Sequence, residues 1–418
     1  MDLKGADYNK TLLTNTLEGI TIKPFYHEDT YNSLDIPVAK SPANICQTLF
    51  INDENKVNNI VKEVLSKGAE SIRFIANSSF DFKTLFKGLP KKIDYLLFCN
   101  FIDNDFIKEL IEFSKDINLI IIIDPINNFA SDGNWFKSQI EDFKILNNNT
   151  INIGIDLSLY QNAGANIVQQ IAYALAHVNE YLNNGLKNNF VFSFSIGSNY
   201  FFEISKIRAF KYLIKKLLAE YNSNQEMKIF LEPTLRNKTI YDYNVNLLRT
   251  TTESMAAMLS GVDFIGNNSY DSIYHRSNEF GSRISRNQLL ILKEESYFNK
   301  ENDITKGSYY IEQITYELAG KALELFKDIE KNGGFLLQIN NGTIQRKIEE
   351  SANKEQDLFD KGELILLGTN KYPNDDDKMK DDLELYPFVK TKPRKTTVKP
   401  IIPKRLAEKL ETKRLGLE

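Results

Sequence analysis

The chain has 418 residues, of which 42% are hydrophobic and 26% charged, so it can bury a sizeable core. The formal net charge is −4, and we expect no nucleic-acid partner because no excess of lysine and arginine is available to follow a phosphate backbone. Two cysteines, Cys46 and Cys99, are too few for a disulfide framework and indicate a reducing compartment. No secretory leader and no apolar run of membrane-spanning length is visible, so we expect a cytoplasmic protein with no membrane partner.

The first 45 residues contain three prolines and are predicted to form an irregular extension. Beyond them, short apolar runs alternate with longer segments of helical periodicity. There are eight such runs, at residues 48–51, 71–75, 95–99, 119–123, 151–155, 191–195, 228–231 and 262–265. Several are apolar throughout, which is typical of parallel strands covered on both faces. Eight strand–helix units predict an α/β fold, a (β/α)8 TIM barrel.

The chain after the last apolar run is predicted to be helical at residues 287–295 and 311–332, with a short helix at 404–414. An acidic stretch at 374–384 precedes a basic, proline-containing tail that begins at Lys390 and is typical of a linker or a surface-wrapping segment. These patterns predict three parts: an N-terminal extension (1–45), the barrel with its following helices (46–345), and a post-barrel segment with the basic tail (346–418).

The predicted barrel mouth is rich in Asn, Ser and Gln, which do not titrate near pH 7. The chain's three histidines, His27, His177 and His275, are not at the predicted strand ends and have no metal-ligand spacing, so we expect no metal site. His177 is predicted to be a surface or packing residue. No dinucleotide, P-loop or serine-nucleophile motif occurs.

One pair of carboxylates, Asp156 and Glu232, follows two of the predicted strands and could support acid–base chemistry of the glycosidase type. The aromatic, acid-rich loops of a sugar-binding cleft are absent, which makes this alternative weak. The mouth as a whole therefore indicates a barrel with a weakened or absent active site.

Several long blocks share their order and spacing with one known family. They are RTTTESMAA at 249–257, FGSRISRN at 280–287, GSYYIE at 307–312, QNAGA at 161–165 and NYFFEISKIRA at 199–209. These blocks resemble methylmalonyl-CoA mutases, and the resemblance extends over nearly the whole chain. It implies a barrel that carries acyl-CoA through its centre, together with a separate flavodoxin-like domain that binds adenosylcobalamin.

The sequence departs from the catalytic members of that family at several positions. The resemblance places Leu159 where catalytic chains carry a substrate-binding histidine, and Gly266 where they carry a second histidine. The segment with the radical-controlling tyrosine (Arg-x-Tyr-Ala-Gly-Phe) has no counterpart, nor has the cobalt-ligating Asp-x-His-x-x-Gly. We therefore expect no catalytic residue, no flavodoxin-like cobalamin domain, and no cofactor bound by this chain alone.

The chain resembles the small, non-catalytic subunit of the two-chain mutases, which implies a heterodimer with a large catalytic subunit that holds adenosylcobalamin. Acyl-CoA is a further candidate ligand. The candidate remnant pocket residues are Gln161, Asn199, Asn268, Arg249 and Arg283. For the arginines, as for Glu253 and Arg286, structural ion pairs are the preferred interpretation over contacts to CoA phosphates.

Two alternatives stay open. The first is a catalytic acyl-CoA mutase barrel completed by a separately encoded cobalamin domain, in which Gln161 would have to replace the histidine missing at Leu159. The second, of another class, is a free-standing barrel that binds acyl-CoA in a regulatory role.

Overall fold

The computed structural model describes residues 4–390 and 393–418. Met1 to Leu3 of the predicted extension, and Thr391 and Lys392 of the basic tail, lie outside the described residues. The strands are β1 (Thr14–Asn15), β2 (Thr21–Ile22), β3 (Asn44–Phe50), β4 (Ser71–Ala76), β5 (Tyr95–Cys99), β6 (Leu119–Ile123), β7 (Asn152–Asp156), β8 (Phe190–Ile196), β9 (Met227–Pro233) and β10 (Phe264–Ile265).

Strands β3 to β10 form a closed, all-parallel barrel in chain order, with β10 pairing with β3 to complete the ring. The predicted (β/α)8 barrel is thus confirmed. The first barrel strand begins at Asn44, four residues before the predicted run. The last strand is only two residues long, and just before it the Asp263 carboxylate accepts the Ile229 amide at 2.8 Å.

The helices surround the barrel and continue beyond it. They are α1 (Tyr8–Leu12), α2 (Glu54–Ser66), α3 (Phe82–Leu85), α4 (Asn104–Ser114), α5 (Pro125–Asp132), α6 (Gln139–Asn147), α7 (Ser158–Asn162), α8 (Ile167–Asn183), α9 (Tyr200–Glu220), α10 (Val245–Leu259), α11 (Glu279–Leu290), α12 (Tyr309–Lys331), α13 (Phe335–Asn340), α14 (Thr343–Asp360) and α15 (Glu408–Leu415). A π-helical turn (Ile291–Glu295) follows α11. The helix predicted at 287–295 therefore begins earlier, at Glu279.

Helix α8 shows why these segments are helical and where they pack. Asn166 caps it in a reciprocal capping box with Gln169, which satisfies two backbone amides at the helix start. The helix is buried almost all round, because α12 packs over it and over α9. The helices after the barrel thus add a second layer to one side of it. No helix in the described parts of the chain is long and apolar enough to cross a membrane.

The N-terminal extension is more regular than predicted. It contains α1, a 3-10 turn (Glu28–Thr30) and an antiparallel hairpin formed by β1 and β2. Gly19 lies in the hairpin connection with φ +70°, a conformation that favours glycine. Ile20, the next residue, is buried, so the hairpin is anchored to the main core.

The basic tail crosses the mouth of the barrel as an ordered segment, residues 396–407, which we call the strap. Its backbone amides at Ile401, Lys404 and Leu406 donate to the carbonyls of Ala130, Asn162 and Arg236 at 2.8–2.9 Å. Four apolar residues of the strap, Val398, Ile401, Leu406 and Ala407, are buried. The predicted surface-wrapping tail is therefore packed against the barrel, and α15 follows it.

Candidate functional site at the barrel mouth

The interior of the barrel is filled with side chains. An apolar cluster separate from the main core is drawn from six of the eight barrel strands. Its buried members are Cys46, Leu96, Ile120, Ile122, Val191, Phe230 and Phe264. Inward-facing side chains of a small parallel barrel pack in layers, and here they leave a solid core in place of a channel.

An ion pair closes the top of this interior. Arg73 on β4 donates from Nη1 to Glu232 Oε1 on β9 at 3.1 Å. The guanidinium carbon lies 4.5 Å from the ring centroid of Phe98 and 4.4 Å from that of Phe230, so the cation is stacked between two aromatic faces. Strands β4 and β9 are not neighbours in the barrel, so these side chains meet across its interior. We call these four residues the lumen plug.

The two positions that lack the family's histidines lie beside this plug. Leu159 is 7% exposed and lines a cavity above it. At Gly266, an added Cβ would lie 2.8 Å from Phe230 Cζ, so an imidazole has no space unless the plug is rearranged. An isobutyl group at Leu159 offers no hydrogen-bond donor.

Above the plug lies a cavity of about 460 Å³ under the strap, which we call the polar mouth cavity. Its lining includes Arg73 and Asp156 near the plug, Asn127 on α5 and Pro403 of the strap. The C-terminal ends of all the parallel strands lie at the mouth of the barrel, so polar residues at the ends of β4 to β7 meet there.

The carboxylates singled out in the sequence have separate partners. Glu232 is paired with Arg73, whereas Asp156 Oδ1 accepts from the backbone amide of Ser158 at 3.0 Å and from its hydroxyl at 2.6 Å. Burial raises the pKa of Asp156, although the Ser158 bonds and the Arg73 charge oppose that rise. With Glu232 held by a guanidinium, the pair does not form a free acid and base.

His177 belongs to this region although the sequence did not place it there. It is fully buried on α8, and its Nε2 lies 3.0 Å from Asp124 Oδ1 at the end of β6. The Tyr181 hydroxyl donates to the same carboxylate oxygen at 2.9 Å. His177 is thus a packing residue and not a surface one. No short sequence motif signals the contact, because it depends on how α8 lies against the barrel.

Gln161 lines a second, larger cavity of about 810 Å³, which includes Leu406 of the strap in its lining. Its amide nitrogen donates to Glu203 Oε1 at 3.1 Å, and its amide oxygen accepts from Lys206 Nζ at 3.1 Å. Lys206 is also ion-paired with Glu203. Burial lowers the pKa of Lys206, and the Glu203 charge opposes that shift. Both ends of the Gln161 amide are therefore engaged within the protein.

The structure brings only Gln161 and Asn199 of the five candidate residues into one cavity. Asn268 donates to the Pro233 carbonyl at 2.8 Å. Arg249 donates to the Thr239 hydroxyl at 2.9 Å and to the Leu367 carbonyl at 2.6 Å, while Arg283 lies over the ring of Phe280 at 5.7 Å. These last three line neither mouth cavity.

Ion pairs were expected for Arg249, Glu253, Arg283 and Arg286, and among the described residues only Glu253 forms one. Glu253 pairs with Lys238 at 2.7 Å, and both are buried. Arg286 donates to the Lys67 carbonyl at 3.0 Å and to Gln47 Oε1 at 3.1 Å. Both residues hold the barrel and its following helices together, through an ion pair at Glu253 and through neutral oxygen acceptors at Arg286.

Residues 98–413 match the model of the family described as methylmalonyl-CoA mutase. The chain belongs to this family. Its match to the methylmalonyl-CoA mutase small subunit of Porphyromonas gingivalis is 31% identical and covers 89% of this chain and 68% of that protein.

Other members of the family match over a shorter stretch. The methylmalonyl-CoA mutase of Cereibacter sphaeroides is 35% identical over 51% of this chain, and the large subunit of the P. gingivalis mutase is 32% identical over 51%. The match spans about a third of each of these longer proteins, 32% in both cases. The small-subunit relative is therefore matched over a much larger part of this chain than these two.

Proposed function

We propose that this chain is the small, non-catalytic subunit of an adenosylcobalamin-dependent methylmalonyl-CoA mutase. In this role it supports a large subunit that interconverts methylmalonyl-CoA and succinyl-CoA. The observation that carries the proposal is the lumen plug, because the family resemblance implies that catalytic members carry acyl-CoA through the centre of the barrel, and the plug fills that space. The small-subunit relative, matched over 89% of the chain, supports the same assignment.

Opening the plug would be costly. Withdrawing Arg73 leaves Glu232 largely buried without its cation, and breaking such a pair typically costs about 3–5 kcal/mol. Withdrawal also uncovers the faces of Phe98 and Phe230. The plug is therefore a stable part of the fold and not a gate that an acyl chain would push aside.

The residues at the mouth do not fit cobalamin. The described residues, 4–390 and 393–418, include all three histidines of the chain. His177 is buried with its Nε2 beside Asp124 Oδ1, and His275 lies past the barrel with its Nδ1 3.2 Å from Asp271 Oδ2. His27 is in the N-terminal extension, at the start of the 3-10 turn. The strap occupies part of the face on which a cofactor would rest. We therefore assign the cofactor to the large subunit.

The alternative of a catalytic barrel completed by a separate cobalamin domain requires Gln161 to act on the substrate. Glu203 and Lys206 already bind both ends of that amide. Freeing it would leave a buried ion pair with fewer hydrogen bonds, which is unfavourable. This arrangement favours the non-catalytic role.

A regulatory barrel that binds acyl-CoA would need free cations for the CoA phosphates. Arg236, which lines the larger cavity, is neutralised by Glu355 at 2.6 Å, and the nearby Lys206, which does not line the cavity, is paired with Glu203. Glu18 adds a further carboxyl group, whose pKa is raised by burial. The charges that line this cavity are thus unfavourable for a polyanionic ligand.

Complex formation tests the proposal. The chain and a large mutase chain encoded in the same genome are co-expressed and analysed by size-exclusion chromatography with light scattering. We expect a 1:1 complex whose mutase activity and thermal stability exceed those of the large chain alone. Calorimetry of the isolated small chain with methylmalonyl-CoA should show no binding. A chain that stays monomeric beside the large chain but binds acyl-CoA would contradict the proposal and favour a regulatory barrel.

A further inference from the structure

The polar mouth cavity has features of a ligand site that the subunit role does not require. We propose that it binds a small, neutral, polyhydroxylated molecule of about the size of a monosaccharide. Its volume of about 460 Å³ lies at the lower end of the range of about 300–1,000 Å³ that is usual for small-molecule sites. It is also at the mouth of a (β/α)8 barrel, where this fold places its ligands.

Buried polar atoms in its wall lack protein partners. Arg73 is 7% exposed, its described hydrogen bond uses Nη1 alone, and its Nε is buried without a partner. The side-chain oxygen of Asn127 is likewise buried and unpaired. A buried unpaired polar group costs about 1–3 kcal/mol, so groups of this kind mark places where a ligand or water completes the hydrogen bonding.

The hydrogen-bond donors and acceptors in the wall of the polar mouth cavity determine which class of ligand it can bind. Arg73 supplies donors, and Asn127 offers both an acceptor and a donor group. Asp156 uses Oδ1 for Ser158, and none of the described hydrogen bonds involves its second oxygen. A hydroxyl group can donate to the carboxylate and amide oxygens and accept from the guanidinium. A molecule with several hydroxyls satisfies all three side chains.

The charges around the cavity exclude anions. Glu232 neutralises Arg73, and the carboxylate of Asp132, which also lines the cavity, is paired with Arg394 at 2.6 Å. Two further carboxylates, of Asp124 and Asp156, line the cavity. A phosphate or carboxylate ligand would be repelled by Asp124 and Asp156, and the described residues that line the cavity offer it no unpaired cation. Since Glu232 is held by Arg73, no acid–base pair is available, and the ligand is bound without being hydrolysed.

Saturation-transfer NMR and calorimetry on the full chain test the proposal, with D-glucose, D-ribose and myo-inositol as neutral probes. Glucose 6-phosphate and succinate serve as anionic probes. We expect saturable binding of at least one neutral probe and at least tenfold weaker binding of both anions. No saturable binding of any neutral probe, or tighter binding of an anion, would overturn the proposal.

Two variants locate the site. Asn127→Leu removes the unpaired amide and should weaken binding at least tenfold without lowering thermal stability, because none of the described hydrogen bonds uses the Asn127 side chain. Leu159→Phe fills part of the cavity and should abolish binding. Asn59→Leu, at an exposed position on α2 away from the mouth, is the matched control and should bind as the wild type does. Binding that is unchanged in both cavity variants would also refute the assignment.

Discussion

Replacing Gly266 with alanine tests the packing of the barrel interior with a single methyl group. The new Cβ would lie 2.8 Å from Cζ and 3.2 Å from Cε2 of Phe230. That ring is fully buried and covered by the Arg73 guanidinium, so it has little room to withdraw. The φ angle of Gly266 is not positive, and the backbone therefore accepts alanine. We expect a purely steric cost of about 1–3 kcal/mol.

The free energy of unfolding is measured in urea by far-UV circular dichroism, with the fluorescence of the single tryptophan, Trp135, as a second probe. Gly320→Ala is the matched control. Gly320 lies inside α12 with open space at its Cβ position, so the same substitution should stabilise the chain by about 0.5–1 kcal/mol. The two glycine substitutions should thus have opposite signs.

A double-mutant cycle isolates the contact with the ring. Phe230→Leu shortens the side chain and makes room for the methyl group, so Gly266→Ala should cost less in that background, by about 0.5–3 kcal/mol. If Gly266→Ala is as stable as the wild type, or if the two substitutions are strictly additive, the reasoning about a solid barrel interior fails.

Three further predictions concern stability. Lys238→Met leaves Glu253 buried without its cation and should destabilise the chain by about 3–5 kcal/mol in urea unfolding, and adding Glu253→Leu should recover most of this. Burial raises the pKa of Asp142 to about 6, so the folded chain binds that proton more tightly than the unfolded chain, and the contribution of Asp142 to stability should fall as pH rises from about 4 to 6. In the Asp142→Asn variant, the midpoint of urea unfolding should depend less on pH between about 4 and 6 than it does in the wild type. Ile401→Ala should loosen the strap and speed its tryptic cleavage, whereas Ile402→Ala, at a 42% exposed position, should not.

The barrel could be predicted from the sequence because its parallel strands are covered on both faces. Such strands appear as apolar runs, and eight of them alternate with helical segments. The ends of the strands were less predictable. Just before the last strand, the Asp263 side chain accepts the Ile229 amide, and the pattern of apolar residues does not predict this contact.

The lumen plug could not be predicted from the sequence. Arg73 lies inside an apolar run, and its partner Glu232 is 159 residues away along the chain. Their contact exists only because closure of the barrel brings β4 and β9 to face each other. In contrast, the losses at Leu159 and Gly266 could be inferred from the family resemblance. The structure adds the steric reason why a histidine at 266 is incompatible with Phe230.

The strap and His177 illustrate the same limit. The lysines and prolines in the tail predicted a surface segment. The path of the strap, however, depends on hydrogen bonds from its backbone amides to the carbonyls of Ala130, Asn162 and Arg236 at the barrel mouth. His177 meets Asp124 only because α8 is pressed against the barrel by α12. Long-range packing decides both features.

The central claim is that this barrel supports catalysis without performing it. Conversion of methylmalonyl-CoA to succinyl-CoA with adenosylcobalamin tests this most directly when the chain is assayed alone, with an isolated cobalamin-binding domain, and with a full large subunit. We predict turnover only with the large subunit, at a rate above that of the large subunit alone. Turnover by this chain with the isolated cobalamin domain would contradict the claim.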